Sequence, residues 1–311
     1  MKNLTGLTRL SLANNYLNGK LSEDAGQLTR LEELDLDGNQ LTELPDSCEN
    51  WSCLKVFSAG NNNMEALPAG IAFWEKLEMC NLRENNFKVL PTQIGNWTLM
   101  KRLFLGTNKL EALPEEIGKM TQLAELDARK NELSSVPMIL GECKLLEHLN
   151  LGDNKITRLP DVLLSQFPRL RELYLYRNKL ENLPTEVGTL KCMEKLSLSK
   201  NNFKSLPEEV GDLANLRELY VNGNAKFSSL PSTVGKLKLL RELALRGCPK
   251  LKSLPKSVED CENLSELDIR TLGKKDVCKM PQEMQDKLLS QKCRVIGAVV
   301  KKAKGKKGKK K

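Results

Sequence analysis

The chain has 311 residues, of which 40% are hydrophobic but only 5% aromatic, so a large core is possible and aliphatic side chains must fill it. The formal net charge of +9 comes almost entirely from residues 301–311, which hold eight lysines and no acid and leave +1 for the other 300 residues. No apolar run reaches the roughly 18 residues that a membrane-spanning helix needs, and repeat-like sequence rather than a signal segment follows Met1.

The nine cysteines are scattered along the chain, and no CxxC pair is present. An odd number without paired spacing is typical of reduced thiols rather than of a disulfide framework. The sequence therefore predicts a cytoplasmic protein, with the nucleus as an alternative location.

From Leu7 onward, the template LxxLxLxxNxL fits the chain twelve times, at spacings of 23 or 24 residues. Its asparagine position falls at Asn15, Asn39, Asn62, Asn85, Asn108, Asn131, Asn154, Asn178, Asn201 and Asn224. Cys248 and Leu272 take this position in the last two repeats. A fixed period of this length indicates a solenoid of stacked units and is that of the leucine-rich repeat.

The physical chemistry of one repeat predicts its shape. Its leucines alternate with period two, which indicates a short strand with one buried face. The asparagine amide can satisfy backbone groups where the chain leaves the strand, and a Leu-Pro position, which holds eleven of the thirteen prolines, starts a turn or helical segment. We therefore expect an α/β fold: a right-handed leucine-rich-repeat solenoid (horseshoe) with a concave parallel β-sheet and short helical or turn segments on the convex side.

The sequence divides into three predicted regions. These are a repeat array over 1–273, a capping segment over 274–300 and a disordered polylysine tail over 301–311. In the capping segment, residues 281–292 are expected to form a helix with Met284, Leu288 and Leu289 on one side. Residues 294–300 are expected to form a last apolar strand or edge cover.

Three tryptophans share one repeat position. Trp51, Trp74 and Trp97 fall where other repeats have Leu28, Met120, Leu190, Leu213 and Leu237. Because those residues belong to the core pattern, we expect a tryptophan stack on the outer side of the core rather than a ligand cage.

Catalytic constellations are not found in the sequence. His148 is the only histidine, so paired-histidine metal sites and mechanisms are not possible. Cys143 is near it but occupies a core position, which argues against a cysteine–histidine dyad. An open solenoid also offers its carboxylates no closed, dry cleft. The sequence predicts no enzyme activity, no metal and no cofactor.

The residues beside the strand leucines should face the concave side, and they include three of the four tyrosines together with several arginines. Tyrosine and arginine are enriched among the residues that dominate binding at interfaces. We hypothesise a protein-binding patch over repeats four to ten. Its candidate residues are Arg83, Arg102, Phe104, Arg129, His148, Tyr174, Tyr176, Arg177, Tyr220 and Arg246, with the four aromatic residues as anchors. The alternative is that these side chains only keep the surface soluble. The Arg-Glu pairs at 171–172, 217–218 and 241–242 are expected to form a solvated charge ladder.

The lysine tail is a candidate polyanion-binding segment. Its candidate residues are Lys301, Lys302, Lys304, Lys306, Lys307, Lys309, Lys310 and Lys311. Nuclear localisation, contact with nucleic acid, an anionic membrane surface, an acidic protein and simple solubilisation all remain open. Without arginine or aromatic residues, the tail offers phosphate attraction but no base recognition.

The repeats resemble those of a known family. The segments LPEEIGKMTQLAELDARKNELSSVP (113–137) and LPTEVGTLKCMEKLSLSKNNFKSLP (183–207) resemble intracellular Ras-group leucine-rich-repeat proteins, such as Ras suppressors, Ras–phosphatase scaffolds and their plant relatives. The resemblance covers about residues 1–285, whereas LRGCPKL (245–251) resembles repeats of plant immune receptors. The Ras-group resemblance implies a non-enzymatic signalling scaffold that binds small GTPases or phosphatases through the concave face. This resemblance carries over no contact residues.

Two functions therefore compete. The first is a protein-binding scaffold in intracellular signal transduction. The alternative is a structural subunit of a large cytoskeletal or ribonucleoprotein assembly that uses the lysine tail on an acidic surface.

Overall fold

The computed structural model describes residues 4–270 and 278–297. Within them, thirteen parallel strands form one sheet, and each strand lies beside the strand of the next repeat along the chain. In sheet order these strands are β1 (Arg9–Ser11), β3 (Glu33–Asp35), β5 (Val56–Ser58), β6 (Met79–Asn81), β7 (Arg102–Phe104), β8 (Glu125–Asp127), β9 (His148–Asn150), β10 (Glu172–Tyr174), β11 (Lys195–Ser197), β12 (Glu218–Tyr220), β13 (Glu242–Ala244), β14 (Glu266–Asp268) and β15 (Arg294–Ile296). A second sheet pairs β2 (Asn18–Lys20) with β4 (Gln40–Glu43). The predicted solenoid with a parallel sheet is confirmed.

In the large sheet, each strand from β3 to β14 buries its central side chain and presents the residues on either side of it, whereas Leu10 of β1 and Val295 of β15 are only partly buried. Neighbouring strands pair without a shift, so Leu149 faces Leu173 and Leu173 faces Leu196. The leucines of successive repeats therefore stack into one continuous core. The same register aligns the side chains beside them into columns on the concave face.

The repeated asparagine holds each turn to the previous repeat. Asn62, for example, donates from Nδ2 to the carbonyls of Leu36, Ala59 and Gly60, and its Oδ1 accepts the backbone N–H of Leu41 at 2.9 Å. Equivalent bonds recur from Asn39 to Asn224. The amide therefore satisfies buried backbone groups, as the sequence predicted.

Short 3₁₀-helices form the convex side. In the described residues they span Glu23–Gln27, Asp46–Asn50, Ala69–Phe73, Thr92–Asn96, Glu115–Lys119, Met138–Glu142, Leu164–Gln166, Thr185–Thr189, Glu208–Asp212, Ser232–Lys236 and Lys256–Asp260. Nine of them begin directly after a proline, whose fixed φ favours this start.

The three tryptophans form the predicted core stack. Trp51 and Trp74 have ring centroids 5.9 Å apart, and Trp74 and Trp97 are 6.2 Å apart with nearly parallel planes. All three are buried, and each indole N–H donates to a backbone carbonyl of the previous repeat. Cys143 and Cys261 fill the same position and make the same kind of contact through Sγ.

The C-terminal part of the described chain contains helix α1 (Gln282–Ser290) and strand β15. Met284 and Leu288 are buried, but Leu289 is 54% exposed, so its predicted place on the packed side is wrong. Residues 284 and 288 are four apart and share one helix face, whereas Leu289 is rotated about 100° away from Leu288. Leu272, the end of the predicted strand at 298–300 and the lysine tail lie outside the described residues.

None of the helices in the described ranges has the length and apolarity that crossing a membrane requires.

Candidate functional site on the concave face

Five of the predicted binding residues surround one concavity on the sheet. Arg83, Arg129, His148, Tyr174 and Tyr176 line a depression of about 330 Å³ across strands β8, β9 and β10. The repeats position these side chains because each lies beside a buried residue, either in a strand or just after it. The structure therefore gathers these five predicted residues around one concavity.

A buried carboxylate organises the arginine side of this concavity. Asp127, whose side chain is only 6% exposed, lies 2.7 Å from Arg83 Nη2 and 3.5 Å from Arg129 Nε. Its Oδ1 also accepts the backbone N–H of Arg129. The Arg83 guanidinium lies 4.1 Å from the centre of the Phe104 ring, which gives a cation–π contact. Both guanidiniums are thus held in place while remaining partly exposed.

Glycine makes room for the tyrosine at the other end of the concavity. A Cβ at Gly152 would collide with the ring of Tyr176. The ring therefore lies against the backbone of the preceding repeat instead of projecting into solvent.

Lys195 joins the other two predicted tyrosines into a second cluster. Its Nζ lies 5.8 Å from the ring centre of Tyr174 and 5.5 Å from that of Tyr220. Lys195 also pairs with Glu218 at 2.6 Å. Desolvation alone would raise the pKa of Glu218, but hydrogen bonds from Lys195 and Tyr220 outweigh it and lower the pKa.

Glutamates hold the tyrosine hydroxyls. The Tyr174 hydroxyl donates to Glu172 at 2.8 Å, and His148 Nδ1 lies 3.4 Å from the same carboxylate. The Tyr220 hydroxyl lies 2.8 Å from Glu218 and 2.7 Å from Glu242, and its single proton serves one of them at a time. Burial, followed by these hydrogen bonds, raises the pKa of both tyrosines, so the hydroxyls stay protonated donors.

Three predicted residues lie apart from these clusters. Arg102 and Arg246 are exposed on the sheet, and neither lines the concavity. Arg177 belongs to the turn beyond β10, where it pairs with Asp153 at 3.1 Å. The structure therefore brings together only part of the predicted set.

Sequence reasoning missed Lys195, Asp127 and the glutamates of the tyrosine clusters. The sequence did hold a signal for Lys195, because the parallel register of the repeats makes it the direct neighbour of Glu172 and Glu218 across the sheet. The expected charge ladder is present for Arg171 and Arg217, which pair with Glu194 at 2.8 and 3.3 Å. The adjacent Glu172, however, holds Tyr174 and belongs to the site.

The predicted tyrosines are half-buried rather than fully exposed. The most exposed tyrosine is Tyr16, at 87%, which is outside the patch.

The structure offers no support for a Cys143–His148 dyad. Cys143 is buried with Sγ 3.5 Å from the Ile117 carbonyl, whereas the imidazole of His148 contacts Glu172 on the concave face. Burial raises the pKa of Cys143 to about 12. Residues 4–270 and 278–297 also contain no group of three or more His, Cys, Asp or Glu side chains that could hold a metal ion.

Comparison with known families identifies the repeats. A family described as a leucine-rich repeat region matches residues 162–296, and two further leucine-rich-repeat descriptions match 130–180 and 30–51. The search of curated proteins returned no match.

Solved structures resemble the whole array. A leucine-rich-repeat protein of Leptospira interrogans is 31% identical, with a TM-score of 0.78, and the match covers 94% of this chain and 79% of that one. The plant peptide hormone receptor RGFR1, solved in complex with RGF2, is 25% identical with a TM-score of 0.63, over 86% of this chain and 52% of the receptor chain. An internalin of Listeria monocytogenes, at 21% identity, shares the fold with a TM-score of 0.72, over 96% and 88% of the two chains.

The identity to the Leptospira protein over most of both chains, together with the three family matches, establishes that this chain belongs to the leucine-rich-repeat proteins, whose repeat domain is generally a protein–protein interaction module.

Proposed function

We propose that this protein is a non-enzymatic scaffold whose concave face binds a protein partner, in a pathway of intracellular signal transduction. The observation that carries the proposal is the concavity lined by Arg83, Arg129, His148, Tyr174 and Tyr176. Aromatic and arginine side chains that converge on one depression are the residue types that dominate binding energy in protein interfaces.

The fixed geometry of these side chains strengthens the case. Asp127 and the Phe104 ring hold Arg83, and Glu172 holds the hydroxyl of Tyr174. Ordering a flexible side chain at an interface costs about 0.5–1.5 kcal/mol. Side chains that are already ordered before binding avoid much of this cost.

Relatives and resemblance both support the proposal. The plant peptide hormone receptor RGFR1, which is 25% identical to this chain, was solved in complex with RGF2. The likeness of residues 113–137 and 183–207 to Ras-group proteins favours a cytoplasmic scaffold with a small GTPase or a phosphatase as its partner.

The test is capture of partners from a cell lysate by the full chain and by a variant with Tyr174→Ala, Tyr176→Ala and Tyr220→Ala. Tyr16→Ala is the control, because this tyrosine is exposed and outside the patch. We expect the triple variant to lose partners that the wild type and the control both retain, while circular dichroism shows an unchanged fold. Equal capture by all three proteins would contradict the proposal, and the identity of the lost partners tests the GTPase or phosphatase assignment.

The lysine tail favours a second function. Eight lysines in eleven residues attract polyanions, which suits a subunit of a cytoskeletal or ribonucleoprotein assembly. This function uses a different part of the chain, so it can be tested separately from the concave face.

A further inference from the structure

The turns that follow the concave strands change in charge along the array. The first six turns hold four basic and five acidic residues, and they lie at 14–20, 38–43, 61–66, 84–89, 107–112 and 130–135. The turns after strands β9 to β13 hold nine basic and two acidic residues, and they lie at 153–158, 177–182, 200–205, 223–229 and 247–253. We call these last five turns, with their net charge of +7, the basic turn face. Because the strands are parallel, their carboxyl ends lie along one edge of the sheet, and the charges collect there.

The cations of the basic turn face outnumber the carboxylates around them. All nine basic residues are exposed. The two acidic residues of the face are already paired, Asp153 with Arg177 at 3.1 Å and Glu181 with Lys226 at 3.5 Å. Five basic side chains make no ion pair with any described residue, and they are Arg158, Lys179, Lys200, Lys204 and Lys250. These five charges are available to a ligand.

Acidic residues border the face on its convex side. Glu186 and Glu208 lie in the first turns of the 3₁₀-helices Thr185–Thr189 and Glu208–Asp212, beyond the Leu-Pro positions. Glu208 accepts hydrogen bonds from Ser232 and Thr233 of the next repeat. These acids therefore mark the limit of the face, and neither is paired with one of its five free cations.

Neither aromatic nor large apolar side chains are exposed in these five turns. Their apolar residues at the core position are buried, and they are Ile156, Leu180, Phe203, Phe227 and Leu251. The neutral side chains exposed between the cations include the hydrogen-bonding groups of Thr157, Asn182, Ser205, Ser229 and Ser253. The face therefore offers charge and hydrogen bonds but no ring for stacking and no apolar group for insertion.

This composition selects among anionic ligands. Protein interfaces are enriched in aromatic residues and depleted in lysine, whereas seven of the nine cations here are lysines. Single-stranded nucleic acids stack their bases on aromatic side chains, and helices that lie on membrane surfaces bury apolar side chains. The phosphates of a double helix need neither feature, because lysine, arginine, serine, threonine and asparagine side chains contact them directly.

The length of the face also suits a double helix. Neighbouring strands are about 4.8 Å apart, so five successive turns span about 20 Å. Double-stranded DNA carries about one negative charge per 1.7 Å of its axis, or about twelve over this length. About half of these phosphates can face the turns, which is close to the net charge of +7.

The chain leaves the array at the same edge. Strand β15 pairs in parallel with β14, so its carboxyl end at Ile296 lies at the edge that carries the turns. Only residues 298–300 separate Gly297 from Lys301, so the lysine tail begins within about 15 Å of this edge. One ligand can therefore reach both, and two linked weak contacts hold it more tightly than either alone.

We propose that the basic turn face binds the phosphates of double-stranded nucleic acid without reading its sequence, while the lysine tail holds the same duplex. Contacts to phosphates carry no sequence information, so duplexes of unrelated sequence bind alike. The proposal is independent of the concave face. It rests on the second candidate function, for which it names the ligand and a surface that assists the tail.

Fluorescence anisotropy with a labelled DNA duplex of about 24 base pairs tests the proposal on the full chain, between about 50 and 200 mM salt. The face variant carries Lys179→Gln, Lys204→Gln and Lys250→Gln, which remove free cations from three repeats. We expect the slope of log K against log salt to become shallower by about 0.9 for each lost phosphate contact, and so by about 2.7 in all. Affinity at about 100 mM salt should fall at least about tenfold.

A control variant removes the same charge elsewhere. Lys76→Gln, Lys119→Gln and Lys191→Gln replace exposed lysines that lie in or just after convex 3₁₀-helices. Circular dichroism and the thermal midpoint check that both variants are folded. We expect the control to bind the duplex with the wild-type salt slope. A folded face variant that keeps this slope, or a control that loses as much as the face variant, would overturn the proposal.

A DNA single strand of the same length separates the face from the tail. We expect both variants to bind it as the wild type does, because it contacts the tail and finds no aromatic side chains on the turns. Equal losses for single strand and duplex would overturn the duplex assignment, as would tighter, face-dependent binding to phosphatidylserine vesicles or to polyglutamate. If deletion of residues 301–311 abolishes single-strand binding while the face variant changes nothing, the function of the tail stands and only the role of the turns is wrong.

Discussion

At the scale of single residues, the turn after each concave strand demands a left-handed backbone. The residue before the repeated asparagine has positive φ in most repeats, and it is glycine in some of them and a larger residue in others. These residues are Asn14, Gly38, Asn61, Glu84, Thr107, Lys130, Asp153, Arg177, Lys200, Gly223 and Gly247. Thr107, with φ of 60°, is the β-branched member, and the left-handed region costs such residues most.

Replacing Thr107 by asparagine should stabilise the protein. Asparagine tolerates the left-handed region better, and the threonine side chain is exposed, so we expect the free energy of unfolding to rise by about 1 kcal/mol. Denaturant titration measures the change. Thr121→Asn is the control, because Thr121 is also exposed but lacks positive φ, and its effect should stay within about 0.5 kcal/mol. A loss of stability in Thr107→Asn would contradict the strain argument.

Glu23 links two repeats through a single carboxylate. It accepts the backbone N–H groups of Asp46 and Ser47, where the next 3₁₀-helix begins, and pairs with Lys20 at 2.9 Å. The hydrogen bond from the Ser47 backbone, followed by that from Lys20, lowers the pKa of Glu23 to about 2. The ionised form is therefore the one that stabilises the folded chain.

The sign of the pH effect follows from this lowered pKa. The stabilisation by Glu23 is complete above its unfolded pKa near 4.5, declines as the pH falls, and is lost near pH 2. Glu23→Gln should therefore be less stable than the wild type at pH 6, with a difference in thermal midpoint that shrinks between pH 4.5 and pH 3. Glu65→Gln, at an exposed position without a resolved ion pair in the described chain, provides the comparison. A difference between wild type and Glu23→Gln that does not change with pH would rule out the carboxylate as its source.

At the scale of the repeat, the asparagine ladder ties strands, turns and neighbours together. Its amides hydrogen-bond to buried backbone groups, so replacing one of these asparagines leaves buried donors and acceptors unpaired and lowers the free energy of unfolding. The tryptophan stack does the same on the convex side, where each indole N–H reaches back one repeat. The asparagine ladder couples successive repeats from Asn39 to Asn224, whereas the tryptophan stack couples only the repeats of Trp51, Trp74 and Trp97 to those before them.

Asn62 and Asn63 offer a matched pair of substitutions. Asn62 is buried and makes four hydrogen bonds through its amide, whereas Asn63 is exposed. We expect Asn62→Ala to lower the free energy of unfolding by about 3 kcal/mol, because it leaves buried backbone groups unpaired. Asn63→Ala should change it by less than about 0.5 kcal/mol. Similar values for the two variants in denaturant titrations would show that the ladder contributes little.

At the scale of the whole molecule, the strands and 3₁₀-helices of the described residues contact only those of neighbouring repeats, and the sheet grows in one dimension. Single side chains reach further, as Arg83 does to Asp127 two repeats away. This arrangement separates the surfaces of the protein. The concave face carries the candidate binding site, the convex side carries the 3₁₀-helices, and the lysine tail extends the sequence beyond β15. Each surface can therefore be altered without rearranging the others.

Deleting residues 301–311 should remove salt-sensitive binding to polyanions without affecting the fold. Binding to heparin or single-stranded RNA should weaken at least about a hundredfold for the full chain between about 50 and 200 mM salt, because counterions are released from the polyanion. The deleted protein should bind weakly at both salt concentrations. Retained binding after the deletion would place polyanion recognition on the repeats.

The sequence alone determined the repeat, its length and the identity of its core residues. The leucine period, the Asn62-type ladder and the Trp51–Trp97 stack follow from spacing, because residues at the same repeat position must meet in a stacked array. Leu289 shows where this reasoning stops, since its side depends on how α1 packs rather than on a repeat.

The tertiary structure decided how the concave side chains are used. It placed Asp127 between two arginines, put Lys195 between two tyrosines, and separated Arg177 from the patch, because these relations depend on the direction of each side chain across neighbouring strands. Spacing fixes which backbone positions face one another, whereas packing and charge fix where long side chains end.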